Sequence, residues 1–366
     1  MSQELAGLDK IPARPDSQPL IMPAARLITF SENILRACGL RAGNAAEVAR
    51  LIVEADLTNA SAHGVFRLPE YTTALQNGLI NARAVVRTEQ SGVSTALVNG
   101  DNGMGHLGGA AAARTAIVLA RGSGVGWVGV HKSNHAGAGA IYAAIPASAG
   151  MIGIYASVAA ANHMAPWGSG APLLGTNPLA IAVPAGNGAV FVIDMATSVA
   201  SFGAIKKLAQ SGQPIPEGWM IDRQTGEALT DAAAIDQGAL APLGGHKGSG
   251  LSMALGLLAG VLNGAAFGSD IRSFELPASK PADVGQLVIA VDPSRFMPAA
   301  IFEAAVARHL EQISASKPLP GVDQVRWPGE RRSKLRAERL ASGIPLEPAL
   351  VERLTALAEH LGTQPL

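Results

Sequence analysis

The chain has 366 residues, 48% hydrophobic and 15% charged, and its 28 basic and 28 acidic side chains cancel to a net charge of zero. This composition excludes a disordered chain and predicts a well-buried body, while the balanced charge favours neither a nucleic-acid partner nor a membrane partner. The single cysteine, Cys38, excludes a disulfide framework or a cysteine metal site within the chain, which predicts a reducing, cytoplasmic location.

The two ends of the chain have helical patterns. Residues 1–23 are rich in proline and charge and lack the apolar core of a signal peptide, so they predict a flexible extension. Apolar residues at helical spacing predict helices between residues 27 and 79, the third running from about 63 to 76. Helices are also predicted at residues 302–315, 332–342 and 347–361.

The middle of the chain alternates between strand and helix patterns. Strands are predicted at residues 95–98, 124–130, 151–156, 179–183, 190–193 and 286–291. Helices are predicted at 110–119, at 138–145, where Pro146 ends the pattern, and at 250–262. Residues 219–221 and 227–229 predict a hairpin. The result is an α/β centre flanked by helices from both chain ends.

A long interval of the chain carries no negative charge. No Asp or Glu occurs between Asp101 and Asp194, whereas Arg114, Arg121 and Lys132 lie inside it. In a typical chain about 25% of residues are charged, so such a gap is unusual. A glycine-rich region with cations and few acids suits a bound dinucleotide pyrophosphate, and it favours NADP over NAD because a 2′-phosphate attracts cations.

A glycine motif inside this interval imitates a dinucleotide fingerprint. The segment from Gly103 to Gly108 reads G-x-G-x-x-G and opens a helix, but no acidic residue follows about 20 positions later to hold a ribose. Arg121 or Lys132 could instead hold a phosphorylated ribose. Close packing of a glycine-rich helix on a sheet is the simpler interpretation.

Two residues four apart predict a site for a carboxylate-bearing substrate. His63 and Arg67 would be neighbours on one face of a helix. An imidazole can donate or accept the proton of a carbonyl/alcohol pair, and a guanidinium matches a carboxylate with two parallel hydrogen bonds. The alternative is a histidine at a helix start beside a solvated arginine.

Further polar groups lie at turns and strand ends. His135 could contact a cofactor or be a hydrogen-bonded residue at a helix start, and Thr176 could orient a substrate or serve its turn. Asp194, at the end of a strand, could stabilise an imidazolium or cap a helix. The glycine-rich loop with His246 and Lys247 opens a helix and could hold an anion there. No metal site is predicted, because no carboxylate stands near the one H-x-x-x-H pair.

Taken in order, these segments resemble the malate/L-lactate dehydrogenase family of the non-Rossmann type. The family includes malate, sulfolactate and ureidoglycolate dehydrogenases, diketogulonate reductase and cyclic imino-acid reductases. The resemblance covers nearly everything from residue 27 onward. It rests on HGVFRLP from His63, SNHAG from Ser133, APWG from Ala165, GTNPL from Gly175, DMATS from Asp194, PIPEGW from Pro214, PLGGHKG from Pro242 and PGE from Pro328.

The resemblance implies an NAD(P)-dependent oxidoreductase, usually a homodimer, with a large mixed sheet in place of a Rossmann fold. It implies that His63 is the catalytic proton donor and acceptor, with Asp194 as its partner, and that Arg67 and Thr176 contact the substrate. The positions that match cofactor contacts are His135, Val192, Ile193, Asp194, Met195, Ala196, Thr197, Ser198, His246, Lys247, Pro328, Gly329 and Glu330.

The predicted organisation has three parts: the extension at residues 1–23, a helical part for substrate binding and dimerisation at 24–100 and 300–366, and a cofactor-binding α/β domain at 101–299. The predicted reaction is hydride transfer between nicotinamide and C2 of a small 2-hydroxy or 2-oxo carboxylic acid.

One departure from the family pattern leaves alternatives open. Ala62 stands where the family usually has a serine before the catalytic histidine, and Ser61 lies one residue earlier. The missing hydroxyl leaves the substrate open and makes reduction of a cyclic imino acid a second hypothesis, since a protonated C=N demands less of His63 as an acid. A non-catalytic relative is a third.

Overall fold

The computed structural model of the chain describes residues 18–272 and 281–366. Its helices are α1 (Ala24–Ala37), α2 (Ala42–Leu57), α3 (Leu68–Gln76), α4 (Gly105–Ser123), α5 (Gly139–Ser148), α6 (Phe202–Gln210), α7 (His246–Ala259), α8 (Ala299–Ser314), α9 (Glu330–Ser342) and α10 (Pro348–His360). Its strands are β1 (Leu20–Met22), β2 (Arg87–Gln90), β3 (Thr95–Asn99), β4 (Val125–His131), β5 (Ile152–Ser157), β6 (Leu179–Pro184), β7 (Val190–Met195), β8 (Met220–Asp222), β9 (Gly238–Leu240), β10 (Gln286–Val291) and β11 (Ile344–Leu346).

A seven-stranded mixed sheet forms the centre, in the order β2-β3-β4-β10-β5-β6-β7. Only β3 and β4 pair in parallel, and the other neighbours are antiparallel. A Rossmann sheet is mostly parallel. The predicted non-Rossmann α/β fold with a large mixed sheet and helices from both chain ends is therefore confirmed.

Helices cover both faces of this sheet. Alanines of α4 and α5, such as Ala113 and Ala143, pack with Val128 and Val288 on one face. On the opposite face α7 contributes Leu255, which packs in a cluster with strand residues of β5 and β10. Small side chains let α4 and α5 lie close to the strands, which explains why these helices are rich in alanine and glycine.

The two chain ends form a separate helical layer. Its core combines Leu27, Ile52 and Leu68 of α1, α2 and α3 with Leu354 and Leu357 of α10. Strand β1 pairs with β11, so residues near the two termini lie side by side. Residues 1–17 of the predicted extension lie outside the described residues, and the strand at Leu20–Met22 falls within its range. Strands β2 and β3, which fall in the predicted helical part, belong to the central sheet.

The predicted hairpin forms, and its first strand also pairs with a strand farther along the chain. Strand β8 pairs with β9, and the expected partner adds an antiparallel bridge between Ile221 and Ala228, with a hydrogen bond from the N–H of Leu229 to the carbonyl oxygen of Met220. The tight turn at 222–226 does form, because the Asp222 carboxylate accepts hydrogen bonds from the N–H groups of Gln224 and Thr225. Local turn chemistry therefore predicted the turn and missed the strand that pairs beyond it.

The start of α3 and the end of α5 differ from prediction for identifiable reasons. The helix expected from residue 63 begins only at Leu68, after two 3₁₀ turns at Ser61–His63 and Val65–Arg67, because the backbone of Gly64 leaves the helical region between them. Helix α5 continues through Pro146 to Ser148. A proline in the last turn removes only one hydrogen bond, so it does not end the helix where the sequence pattern did.

The G-x-G-x-x-G segment is a packing motif. Residues 103–108 are all buried, at the start of α4. A Cβ on Gly105 would lie 2.0 Å from the carbonyl oxygen of Asn134 and 2.6 Å from that of His135. Glycine is required here because another backbone segment passes at contact distance, as the simpler interpretation predicted.

Gly105→Ala should lower the free energy of unfolding by at least about 2 kcal/mol, because backbone atoms cannot yield to the new methyl group. Gly122→Ala, in the same helix with no atom near the added Cβ, should raise it by about 0.5–1 kcal/mol through helix propensity. Urea denaturation followed by circular dichroism compares the two. A Gly105→Ala chain as stable as the Gly122→Ala chain would contradict the packing explanation.

Candidate functional site

A buried carboxylate at the end of α2 holds the turn that carries His63. Asp56 is 1% exposed, and its Oδ2 accepts a hydrogen bond of 2.9 Å from the N–H of Val65. Gly64 lies directly against this carboxylate, since a Cβ there would be 2.1 Å from Oδ1. The two 3₁₀ turns are therefore tied to α2 through one side chain.

A helix from the C-terminal part of the chain, α9, places a positive charge near Asp56. Burial raises the pKa of Asp56, and the hydrogen bond from Val65 and the positive charge of Arg339 oppose the rise, which leaves the pKa at about 7. Arg339, on α9, donates hydrogen bonds to the Asp56 carbonyl oxygen and to the Asn59 side chain. Arg336 of the same helix pairs with Glu54 at 2.6 Å. Helix α9 is thus fastened to the end of α2.

His63 is a half-buried neutral imidazole. Its Nδ1 is buried and has no hydrogen-bond partner among the described residues. Burial and, to a smaller extent, the nearby charge of Arg67 lower the pKa of His63 to about 4. At pH 7 the ring is therefore uncharged and able to accept a proton.

Arg67 lies beside His63, although not on a shared α-helical face. Its Nε donates a 3.0 Å hydrogen bond to the carbonyl oxygen of Ala62, and its Nη1 forms an ion pair with Glu70. The i, i+4 helical geometry predicted for His63 and Arg67 is wrong, because the backbone leaves the helix at Gly64 between them. The turn nevertheless keeps both side chains within electrostatic reach of each other.

His135 belongs to the same cluster. Its Nδ1 and the hydroxyl of Tyr71 are 2.7 Å apart, and its ring centroid is 5.6 Å from that of His63. His106, fully buried, faces Tyr71 edge-on at 5.4 Å, and neither of its ring nitrogens has a hydrogen-bond partner in the described chain. Burial lowers the pKa of His106 and His135 and raises the pKa of Tyr71, so all three are neutral at pH 7.

Asp194 contacts a helix start instead of His63. Its Oδ2 accepts a 2.8 Å hydrogen bond from the N–H of Ala140 in the first turn of α5. Burial raises the pKa of Asp194, and this hydrogen bond and the charge of Arg332 oppose the rise. The structure shows no hydrogen bond between Asp194 and His63 in the described residues, so their pairing stays a prediction.

A cavity of about 730 Å³ lies between the end of α2, strand β7 and helix α9, and Asp194 forms part of its wall. Five basic side chains line it, while Asp194 and Glu338 are its only acids among the described residues. The basic lining residues are Arg326, Arg331, Arg332, Lys334 and Arg339.

The cations of this cavity come from outside the acid-free interval. Arg121 and Lys132, the candidates inside that interval for binding a ribose phosphate, do not line the cavity. Arg114 pairs with Glu47. The interval contributes Val192, and the C-terminal segment supplies the charge. The cavity is therefore built from both of the predicted parts of the chain.

The P-G-E segment meets the cavity at Gly329, which lines it. The Pro328 carbonyl oxygen accepts a 3.0 Å hydrogen bond from the N–H of Val192. Gly329 has a φ of +98°, and a Cβ there would be 2.6 Å from the Val192 nitrogen, so only glycine fits. Glu330 begins α9, and its Oε2 is buried without a partner in the described chain. Such an oxygen is ready to accept a hydrogen bond from a ligand hydroxyl.

Strand β7 separates the residues predicted to contact the cofactor. Val192 and Asp194 line the cavity, whereas Ile193 and Met195 alternate with them and point to the other face of the strand. Ala196 follows β7 and leads into the turn beyond it. The structure thus places only alternate members of the predicted run at this cavity.

The remaining predicted residues meet in a second place. The carbonyl oxygen of Thr176 accepts hydrogen bonds from both the N–H and the hydroxyl of Thr197, at 2.9 and 3.1 Å. Ser198 forms a bridge with Pro242, just before the loop that opens α7. Two further predicted residues, exposed at the start of α7, follow that loop: His246 and Lys247.

Sequence reasoning missed Asp56, Tyr71 and His106. Asp56 was detectable in principle, because it adjoins the buried stripe of α2 next to Ala55, where a carboxylate is costly unless it has a partner. Tyr71 follows Leu68 at helical spacing and looks like an ordinary core residue. His106 is hidden inside the glycine motif. Only the fold shows that Asp56 holds the turn of His63 and that Tyr71 and His106 belong to the cluster around it.

Two features are absent from the described residues. No three His, Cys, Asp or Glu side chains are grouped there as metal ligands would be. None of the helices combines the length and the apolar character that crossing a bilayer requires.

Comparison with known proteins decides the family. Residues 22–355 match the family described as malate/L-lactate dehydrogenase. The chain belongs to this family. It is an oxidoreductase that transfers hydride to or from small acids, as the sequence predicted.

Relatives and solved structures agree along nearly the whole chain. The chain is 37% identical to L-sulfolactate dehydrogenase of Methanothermobacter thermautotrophicus, over 91% of this chain and 95% of that one. It is similar to the structure of malate dehydrogenase from Pyrococcus horikoshii, with a TM-score of 0.86, 31% identity and coverage of 98% and 99%. It is also similar to the structure of Δ1-piperideine-2-carboxylate reductase from Pseudomonas syringae, with a TM-score of 0.82, 32% identity and coverage of 93% and 100%.

Asp56→Asn should reduce the loss of stability at alkaline pH. Folding raises the pKa of Asp56 from 3.8 to about 7. Its contribution to the free energy of unfolding is therefore greatest below pH 4, and it is lost as the pH rises to about 7. Asparagine does not ionise, so the fall in unfolding free energy between pH 5 and pH 8 should be smaller by about 2 kcal/mol.

Urea titrations at the two pH values measure this difference. Asp222→Asn is the control, because the pKa of that exposed carboxyl is lowered from 3.8 and it does not titrate between pH 5 and pH 8. If the free energy of unfolding fell equally in the wild type and in Asp56→Asn between pH 5 and pH 8, Asp56 would be ionised throughout this pH range.

Proposed function

We propose that the chain catalyses NAD(P)-dependent hydride transfer at C2 of a small 2-hydroxy or 2-oxo carboxylic acid. The observation that carries the proposal is the turn held by Asp56, which presents a neutral imidazole, His63, next to a guanidinium, Arg67. An acid–base group beside a carboxylate ligand is what this reaction requires. The family and its named dehydrogenases support the same reaction.

The residues divide the work in a simple way. Arg67 binds the substrate carboxylate and so fixes the reacting carbon, and Thr176 contacts the rest of the substrate. The bound nicotinamide supplies or accepts the hydride. During oxidation neutral His63 accepts the hydroxyl proton, and during reduction its protonated form returns that proton to the oxygen. The proposed role of Asp194, stabilising the charged ring, is supported by the family resemblance.

The described residues fit a nicotinamide dinucleotide. The 730 Å³ cavity beside β7 and α9 has five basic side chains for phosphates, and the unpartnered Oε2 of Glu330 can accept a ribose hydroxyl. Pro328 and Gly329 bring α9 against Val192 at its edge. We propose that the cofactor lies here, with NADP preferred over NAD because of the surplus of cations. The cofactor contacts proposed for His135, His246 and Lys247 and for the run from Val192 to Ser198 rest on the family resemblance.

Reduction of a cyclic imino acid is the second candidate. Ala62 and Ser61 are both exposed, and neither offers a hydroxyl to His63: alanine has none, and no side-chain hydrogen bond of Ser61 occurs in the described chain. A protonated C=N bond needs less help from His63 than a carbonyl does. The similar reductase of Pseudomonas syringae supports this candidate.

A homodimer is the assembly we propose. Helix α7 and the turn after it expose a contiguous series of large apolar side chains, too many for a surface that faces water alone. A second copy of the chain would cover them, as the resemblance implies. These side chains are Leu251, Met253, Leu257, Leu258, Val261 and Leu262. We place the protein in the cytoplasm, where its lone Cys38 stays reduced. We assign residues 24–100 and 300–366 to substrate binding and dimerisation and 101–299 to cofactor binding, with α7 of this second part extending the dimer surface.

His63→Ala should lower turnover by about 10²- to 10⁴-fold, the usual contribution of a positioned acid–base group, with cofactor affinity nearly unchanged. The assay follows the absorbance of NADH and NADPH with oxaloacetate, pyruvate, sulfopyruvate, ureidoglycolate and cyclic imines. His360→Ala, at the exposed end of α10, is the control and should keep full activity. Unchanged turnover of a 2-oxo acid by His63→Ala would exclude His63 as the acid–base group. No turnover of any of these compounds by the wild type would sink the proposed function.

NADPH should bind more tightly than NADH, by about tenfold or more, because an added phosphate meets a cavity with surplus positive charge. The double variant Arg331→Gln/Lys334→Gln should remove most of that preference, while affinity for NADH falls less. Arg308→Gln/Lys317→Gln is the matched control, since it removes the same charge from two exposed side chains that do not line the cavity. Fluorescence titration measures both affinities. Equal affinity of the wild type for the two cofactors would contradict the NADP preference.

A further inference from the structure

The residue proposed to bind the substrate carboxylate already has an acidic neighbour. Arg67 forms an ion pair with Glu70, and their side chains are only 20% and 33% exposed. Glu70 lies in the first turn of α3, three residues after Arg67. Partial burial makes such a pair stronger and less screened by salt than one on the open surface.

Both charges act on the catalytic cluster. The positive charge of Arg67 lowers the pKa of Tyr71 and the negative charge of Glu70 raises it, against the larger effect of burial. The Tyr71 hydroxyl in turn contacts His135, whose ring lies beside that of His63. The negative charge of Glu70 therefore contributes to the electrostatic potential at the site.

The charge of the site follows from these groups. Arg67 and Glu70 sum to zero, and the three histidines of the cluster add nothing because burial keeps them neutral. Binding a monocarboxylate gives a local charge of −1 and binding a dicarboxylate gives −2. A cyclic imino acid, with one carboxylate and one protonated C=N group, leaves the charge at zero.

We propose that Glu70 determines substrate specificity: it selects acids that carry one negative charge, and zwitterionic cyclic imino acids above all, against dicarboxylates and sulfonates. The inference rests on the proposed hydride-transfer site, and it ranks the second candidate substrates, the cyclic imino acids, above the 2-oxo acids. When the substrate carboxylate binds Arg67, Glu70 loses part of its ion pair. A cation on the substrate restores that interaction, whereas a second anion is repelled by the same carboxylate.

The first experiment compares substrates of different charge. We expect wild-type kcat/KM to fall in the order Δ1-piperideine-2-carboxylate, pyruvate, oxaloacetate. Glu70→Gln, which keeps the size and the hydrogen-bond acceptor, should shift the ratio of oxaloacetate to the cyclic imine by about 10- to 100-fold in favour of oxaloacetate. Glu70→Asp keeps the charge and should retain the wild-type order. A ratio that changes by less than twofold in Glu70→Gln would overturn the proposal.

The matched control removes an ion pair elsewhere. Glu32 pairs with Arg36 within α1, outside the cluster around His63. Glu32→Gln should leave all three kcat/KM values unchanged. A shift of the same size in this variant would mean that the selectivity arises from overall charge, and it would overturn the specific role of Glu70.

A binding measurement separates this inference from the proposed reaction. Oxamate and oxalate have nearly the same shape but carry one and two negative charges, and each can occupy a carboxylate site without reacting. With NADPH present, the wild type should bind oxamate more tightly than oxalate, and Glu70→Gln should narrow or invert that preference by about tenfold or more, as judged from thermal-shift titrations. If no acid is turned over, the reaction is wrong and this ratio still decides the role of Glu70. An unchanged oxamate-to-oxalate ratio overturns the inference even when turnover is observed.

Discussion

The buried carboxylate of Asp56 is the interaction on which the site depends. A charge that is almost inaccessible to water persists only where hydrogen bonds and opposite charges surround it, and here these are the N–H of Val65 and the guanidinium of Arg339. One partner lies on the turn that presents His63, and the other lies on the helix that lines the cavity. Asp56, through its carboxylate and its main-chain carbonyl oxygen, therefore joins the turn of His63 to the helix beside the proposed cofactor site. As a result, the free energy of unfolding falls as the pH rises toward 8, because Asp56 ionises in a buried position.

The absence of acids between Asp101 and Asp194 has a different cause from the one the sequence suggested. Most of this interval forms the tightly packed helices α4 and α5 and their strands, where alanine and glycine leave no room for charge. The histidines that lie in it and face the site, His106 and His135, are neutral and buried. Helix α9 and the segment just before it, far along the chain, supply the cations of the cavity. The interval without acids therefore corresponds to the core beneath α4 and α5, and its last strand, β7, forms one wall of the cavity.

The sequence predicted the fold class, most strands of the sheet and the family, because period-2 apolar runs and ordered motifs are local signals. It misjudged the segment from His63 to Arg67, since the break at Gly64 depends on a carboxylate that α2 brings from nine residues before Val65. The strand partner of β8 was missed for the same reason, as it lies well beyond the turn. Motif matching treated the run after Val192 as one unit, whereas the strand divides it between two faces. Contacts between segments that are distant in sequence could not be predicted, because local patterns carry no information about them.

The joining of the two chain ends has a consequence for synthesis. Strand β1 pairs with β11, and α10 completes the core beneath α1 and α3. During translation the turn with His63 emerges early, whereas α9, β11 and α10 emerge much later. The nascent chain can form its central sheet first, yet it holds neither a closed cavity nor a fastened catalytic turn until the C-terminal segment is free. A chain that lacks α9 and β11 would therefore keep the turn of His63 but hold neither the fastening to α2 nor the cavity wall.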